Sequence, residues 1–197
     1  MHKIFSIALG FLSIDCGSSE IKNYTNSDST SIEWTPDAVI WPDIGNWSRT
    51  ATIAPPTTMS DQKQYSTFRY FPSTNKPLNH SKFCYNLPGT IAGSYYLIRA
   101  SFWYGSTMQY QTHTNNQIRF HVIVDTYIGV EIVINIPQTY PWIEEMYIRA
   151  QSSSVSVCLS AKSDSSDIPF ISSLELRPLT STIKSVEMID YTNHAMR

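Results

Sequence analysis

From Ser94 to Gly105 the chain reads Ser-Tyr-Tyr-Leu-Ile-Arg-Ala-Ser-Phe-Trp-Tyr-Gly, and this run restricts the fold more than any other feature. It reads as one long β-strand. Strand side chains alternate between two faces, so Tyr96, Ile98, Ala100, Phe102 and Tyr104 share one side and can enter a core. Tyr95, Leu97, Arg99, Ser101 and Trp103 share the other, a mixed surface suited to a second layer or a ligand.

The same period of two recurs along the chain. Thr67–Phe71 stops at Pro72 and Lys82–Leu87 stops at Pro88-Gly89. Ile118, Phe120, Val122 and Val124 alternate with Arg119, His121 and Ile123; Val130, Ile132, Ile134 and Ile136 alternate with Glu131, Val133 and Asn135. Met146, Ile148 and Ala150 face away from Glu145, Tyr147 and Arg149, and Val155, Val157 and Leu159 from Ser156, Cys158 and Ser160. A final run covers Phe170–Arg177 and closes at Pro178. Helical rhythm is nearly absent. About eight to ten strands with no helical interludes predict an all-β, two-sheet sandwich. Between Gly17 and about Asp61 the pattern is weak and proline-bearing, with Trp34, Trp41 and Trp47 spaced through it; such a stretch is a functional loop or a covering layer pinned by its tryptophans.

Composition narrows the function classes. Charged residues make up 15%, against about 25% in an average domain, and the net charge is −2 with no basic run. A nucleic-acid partner held by phosphate neutralisation is not expected. Sequons at Asn23, Asn46 and Asn79, each in a loop-like stretch, predict glycosylation and an extracytoplasmic setting. Residues 1–10 read as a truncated signal segment, 11–179 as the sandwich, and 180–197 as a tail or linker. Cys16, Cys84 and Cys158 predict one disulfide and one buried thiol, and their spacing leaves the pairing open.

Several runs together resemble the plant malectin-like domain. Phe11-Leu12-Ser13-Ile14-Asp15-Cys16-Gly17-Ser18 is similar to its opening strand, with Tyr24-Thr25 and Ile32–Asp37 as the next landmarks. Arg69-Tyr70-Phe71-Pro72, Cys84-Tyr85, Tyr96–Phe102 with Tyr104-Gly105, Val157-Cys158-Leu159 and Pro169–Leu179 follow in order. The resemblance implies a jelly-roll β-sandwich related to carbohydrate-binding modules. It also implies a receptor-like kinase ectodomain setting, where such domains sense secreted peptides or touch cell-wall polysaccharide beside a partner protein. After Tyr104-Gly105 the chain departs from the family's usual turn.

Trp103, Tyr104, Gln109 and Tyr110, with Gln111, are the candidate ligand-binding residues: aromatic faces at a strand end stack on sugar rings or peptide side chains, and the amides supply hydrogen bonds. For Tyr104 a core role is the stronger expectation. Asp15 is expected to orient the loop at Gly17. Neither a cofactor nor a metal is expected: the five histidines show no ligand spacing. Asp125, Glu131, Glu144, Glu145, Asp164 and Asp167 read as solvated charges and not as a catalytic pair. The expected function is a secreted or cell-surface module that binds a cell-wall glycan or secreted peptide, with a receptor kinase or co-receptor as partner. The alternatives are a glycoside-active jelly roll and a fragment of a longer receptor kinase without an independent role.

Overall fold

A computed structural model describes residues 10–25, 31–57, 62–72, 82–105, 116–126, 129–162 and 166–179. Among them, thirteen strands run β1 (Leu12–Asp15), β2 (Lys22–Thr25), β3 (Ser31–Pro36), β4 (Arg49–Thr52), β5 (Thr67–Tyr70), β6 (Lys82–Pro88), β7 (Tyr95–Phe102), β8 (Gln117–Val124), β9 (Glu131–Asn135), β10 (Trp142–Arg149), β11 (Ser154–Ala161), β12 (Phe170–Ile171) and β13 (Ser173–Pro178). The helical content there is one turn, α1 (Asp37–Ile40), and short 3-10 turns at Pro42–Asn46 and Lys63–Tyr65.

The strands form a six-stranded sheet in the order β10-β7-β13-β1-β3-β2 and a four-stranded sheet, β6-β11-β8-β9. These are the two layers of a jelly-roll-like sandwich. A third, three-stranded sheet, β12-β5-β4, adds to the two expected. All pairings are antiparallel except β1 with β3. The alternation in β7 resolves as its sequence predicts: Tyr96, Ile98, Ala100 and Phe102 are buried, while Tyr95, Leu97 and Arg99 are half-buried on the opposite face. Strand β8 shows the same two-residue rhythm of burial throughout.

Phe170 is the hub of the core. Its ring lies 5.3 Å from Phe68 of β5, 6.1 Å from Phe102 of β7 and 5.7 Å from Phe120 of β8, so one side chain joins all three sheets. Such edge-to-face pairs add about 0.5–1.5 kcal/mol each beyond simple burial.

Three expectations need correction. The last run, read as one strand over 170–177, breaks at Ser172. There the backbone N–H donates to Ser101 O (2.9 Å), the carbonyl accepts from Cys16 N (2.9 Å), and the hydroxyl accepts from Trp103 N (3.0 Å). That triple anchor releases Phe170–Ile171 to pair with β5 while Ser173 onward pairs with β7 and β1. Strand β10 starts at Trp142, three residues before its apolar alternation becomes visible. Asn23 falls in β2, opposite Glu33, and not in a loop.

The weakly patterned region is a covering layer interrupted by short strands. Trp34 is buried, Trp41 meets Tyr85 edge-on at 5.1 Å, and Trp47 lies over Phe71 at 6.4 Å. Beyond β4, Ile53 N donates to Ser66 O (2.9 Å) and Ala54 O accepts from Trp103 Nε1 (2.8 Å). With Tyr65 also buried, the segment caps part of the outer face of the six-stranded sheet, where Ser101 and Ser173 become inaccessible.

Candidate functional site

Two polar clusters and one aromatic rim stand out. The first cluster is interior. Asp37, at the start of α1, is fully buried and pairs with the Arg69 guanidinium through Nε–Oδ2 and an Nη2–Oδ1 bond of 2.7 Å. Tyr85 OH donates to Asp37 Oδ2 (3.2 Å), Gly17 N to Oδ1 (3.2 Å), and Arg69 Nη1 to Ser48 Oγ (2.9 Å). Burial works against the Arg69 charge, yet the hydrogen bonds and charge of Asp37 outweigh it and leave the guanidinium above its ordinary value. Burial pushes the Cys16 thiol and the Tyr85 phenol well up, with Asp37 adding to both shifts. Every strong polar group here has a protein partner, so the cluster is a brace between α1, β5 and β6. A charged residue inside the apolar run Phe68-Arg69-Tyr70-Phe71 is the signal that announces it, and sequence reasoning passed over it.

Asp15 ends β1 and accepts from Thr67 Oγ1 (3.0 Å), and in the loop that follows, Gly17 N is bound by Asp37. Gly17 has φ +87°, and a Cβ there would come within 2.7 Å of Phe68 O; only glycine fits.

The second cluster lies on the outer face of the four-stranded sheet. Glu131 accepts from Lys162 Nζ (2.7 Å) and Arg119 Nη2 (2.8 Å), and those hydrogen bonds, Lys162 first, hold its carboxyl below the usual range. A general acid needs the opposite shift. Asp167, expected in solvent, is buried and accepts from Arg119 N (2.8 Å). Asp125 accepts from Ser156 N (2.8 Å), Glu145 pairs with Arg99, and Asp164 lies outside the described residues. Among the described residues no group of three or more His, Cys, Asp or Glu side chains converges as a metal site. On the same sheet Cys84 and Cys158 sit directly opposite in β6 and β11 and form the disulfide, leaving Cys16 as the buried thiol.

The aromatic rim is built where β7 ends and β9 crosses to β10. Gln138, in that crossing, accepts from Tyr104 N at Oε1 (2.6 Å), donates from Nε2 to Phe102 O (3.2 Å) and from its backbone N–H to Gly105 O (3.1 Å). Ile136 N donates to Asn116 O (2.8 Å). Both roots of the segment 106–115 are therefore tied to the same crossing. Gly105 has φ +85° and its Cβ position is filled by Ile53 Cδ1 at 2.4 Å, so the strand end requires glycine. Just beyond Gln138, the chain exposes Tyr140 (60%), Trp142 (37%) and Ile143 (45%). Trp142 Nε1 donates a long bond to Glu144 Oε2 (3.4 Å).

Of the ligand-binding residues singled out from sequence, the two that are described are enclosed, Tyr104 as expected. Tyr104 is fully buried, its ring 5.3 Å from Phe68 and 5.2 Å from Phe170, so both its faces serve the core. Trp103 is 5% exposed, with its indole N–H bound to Ala54 O. Gln109, Tyr110, Gln111 and Asn79 lie outside the described residues. Asn46 is exposed at the end of its 3-10 turn. The exposed trio of Tyr140, Trp142 and Ile143 was missed. Its signal was Tyr-Pro-Trp-Ile, bulky apolar residues placed around a proline just before the acidic pair Glu144-Glu145.

Comparison with known proteins agrees with this fold. The malectin-like domain matches residues 14–191. A probable LRR receptor-like serine/threonine-protein kinase of Arabidopsis thaliana is 30% identical over 95% of this chain, which spans 18% of that protein. Another of the same description is 31% identical over 86% of the chain and 17% of its own length. Among solved structures, the ANX1 ectodomain of Arabidopsis thaliana aligns with a TM-score of 0.59 at 17% identity, covering 88% of this chain and 42% of that one. A complex described as the plant peptide RALF23 with FER and LLG2 aligns at 0.58 and 17% identity, covering 92% and 44%. A β-glucuronidase of Bacteroides uniformis aligns at 0.59 and 16%, covering 86% and 18%.

Proposed function

Because this chain belongs to the malectin-like domain family, we propose that it is a secreted or cell-surface recognition module, without catalysis of its own, that binds a secreted peptide through the β9–β10 rim. The observation that carries this reading is the exposure of Tyr140, Trp142 and Ile143 beside two anchored loop roots. Bulky apolar side chains left open close together at one rim are what a partner surface uses, and aromatic side chains on a rigid strand form high-yield contacts at little entropic cost. A solved neighbour of this fold is described with a peptide and a further protein, which supports peptide over other ligands and a co-receptor as the companion. Hydrogen bonds from Lys162 and Arg119 hold the Glu131 carboxyl below its usual range, the opposite of what a glycosidase acid needs, and the likeness to a β-glucuronidase concerns the fold alone. The exposed Asn46 sequon suits an extracellular setting, and no helix among the described residues is long and apolar enough to cross a membrane.

A second reading, cell-wall glycan, draws on Tyr140, whose ring is open enough to stack on a pyranose. Calorimetry of the chain against secreted-peptide and cell-wall oligosaccharide panels separates the two. Peptide binding weakened by Trp142→Ala and Tyr140→Ala supports the main reading; oligosaccharide binding with the same dependence selects the second. Release of reducing ends, abolished by changing one carboxylate, would establish an enzyme instead.

A further inference from the structure

The open sheet edges differ in how they are protected. Natural edges carry lysine, proline, bulges or short strands that discourage pairing with another chain. Strand β6 begins at exposed Lys82, ends at Pro88 and is stapled to β11; β9 has five residues; β4 has four and exposes Arg49. Strand β10 is different. It runs for eight residues without proline, glycine or lysine, its exposed charges being Glu145, which Arg99 already pairs, and Arg149 at its far end. It pairs with β7 on one side and has no strand on its other side among the described residues. Its open edge begins at the exposed Trp142 and Ile143.

Resting on the peptide reading above, we infer that β10 is an acceptor strand: an extended peptide joins the six-stranded sheet along Trp142–Arg149. Main-chain hydrogen bonds supply the general affinity in such additions, and alternate side chains supply the selection. The alternation here specifies what is selected. Trp142 and Glu144 share one face of β10, since residues two apart point the same way. Trp142 presents an apolar surface. Glu144 is half-buried, takes the long bond from Trp142 Nε1, and is paired with no cation among the described residues. Its neighbour Glu145, on the opposite face, is neutralised by Arg99 through a 2.7 Å bond. The unmatched charge therefore sits on the tryptophan face. The fitting occupant has an aromatic or aliphatic residue against Trp142 and a lysine or arginine two positions away against Glu144.

The test uses acetylated, amidated decapeptides on a Thr/Val background, with aromatic, aliphatic, acidic or basic residues at two alternating positions. Binding is followed by calorimetry and by amide hydrogen exchange of the chain. The aromatic–basic members bind tightest, slow exchange in β10 at least tenfold, and lose at least tenfold in affinity when alternate backbone nitrogens are methylated. Glu144→Lys moves the preference to aromatic–acidic members by a similar factor. Binding that depends on Trp142 but ignores backbone methylation overturns strand addition while leaving the peptide reading intact. Failure of every panel member to saturate overturns strand addition. If secreted peptides also fail, the peptide reading falls with it. Protection of β10 by a second copy of the chain, or by a neighbouring domain, gives the edge a different occupant and overturns the inference.

Discussion

Two aromatic groups flank the end of β7, a few residues of structure apart, and they have opposite fates. Trp103 and Tyr104 are enclosed: one indole N–H is bound to Ala54 O, and the phenol ring is wedged between Phe68 and Phe170. Tyr140 and Trp142, held to the same strand end by Gln138, face solvent. Residue type does not separate them. The first pair lies beneath the covering segment and within reach of all three sheets, whereas the second lies at the start of an edge strand whose far side carries no strand among the described residues. The lesson is that aromatic residues at a strand end become ligand candidates only when nothing folds over them.

The contrast breaks most readily through the enclosed group. Phe170→Ala removes the ring that joins three sheets and lowers stability by about 3–5 kcal/mol, read from urea unfolding. Arg69→Met leaves Asp37 buried without its cation and costs a comparable 3–5 kcal/mol or so, while the double change with Asp37→Leu recovers much of that loss. If the single change were neutral, the brace would not be supporting the layer over the core. Cys84→Ser opens the β6–β11 staple and lowers stability by about 2–4 kcal/mol in the same assay.

Alkaline pH gives a smaller and more selective effect. The Cys16 thiol titrates in the unfolded chain near its ordinary value of about 9.0, and burial raises it well above that in the fold. Above that pH the unfolded state binds fewer protons than the native one, so stability falls as pH rises. The protection is complete below about pH 9. Tyr85 repeats the behaviour above its ordinary value of about 10.0. Cys16→Ala flattens the earlier part of the decline in urea midpoint and leaves the Tyr85 part. The smallest stability change belongs to the rim: Trp142→Ala shifts unfolding by no more than about 0.5 kcal/mol, as a surface substitution does. A loss of several kcal/mol there would place Trp142 with the enclosed group and dissolve the contrast.

Much of the architecture is legible in the chain. The period-two runs identify the strands, and the face assigned to Tyr96, Ile98, Ala100 and Phe102 is the buried one. The family landmarks carried the fold further, to the jelly roll. The third sheet was not legible, because the break at Ser172 depends on partners at Ser101, Cys16 and Trp103 that lie far away in sequence. The brace left a trace, an arginine within an apolar strand, but its carboxylate partner lies in a helical turn 32 residues earlier. The exposure of Tyr140, Trp142 and Ile143 went unread for a related reason. Aromatic residues in β7 drew attention because the strand is conspicuous, while Trp142 and Ile143 precede the visible alternation of their own strand.

By itself, the amino-acid order determined which residues alternate, and so which side of each strand is apolar, because the pleat imposes a period of two wherever a strand forms. It also restricted the chain to one disulfide. Tertiary structure alone decided the pairing of Cys84 with Cys158, the enclosure of Trp103 and Tyr104, and the exposure of Tyr140 and Trp142. Alternation is a local property of the backbone, whereas coverage depends on which distant segment arrives on top, and only the folded chain brings that segment there.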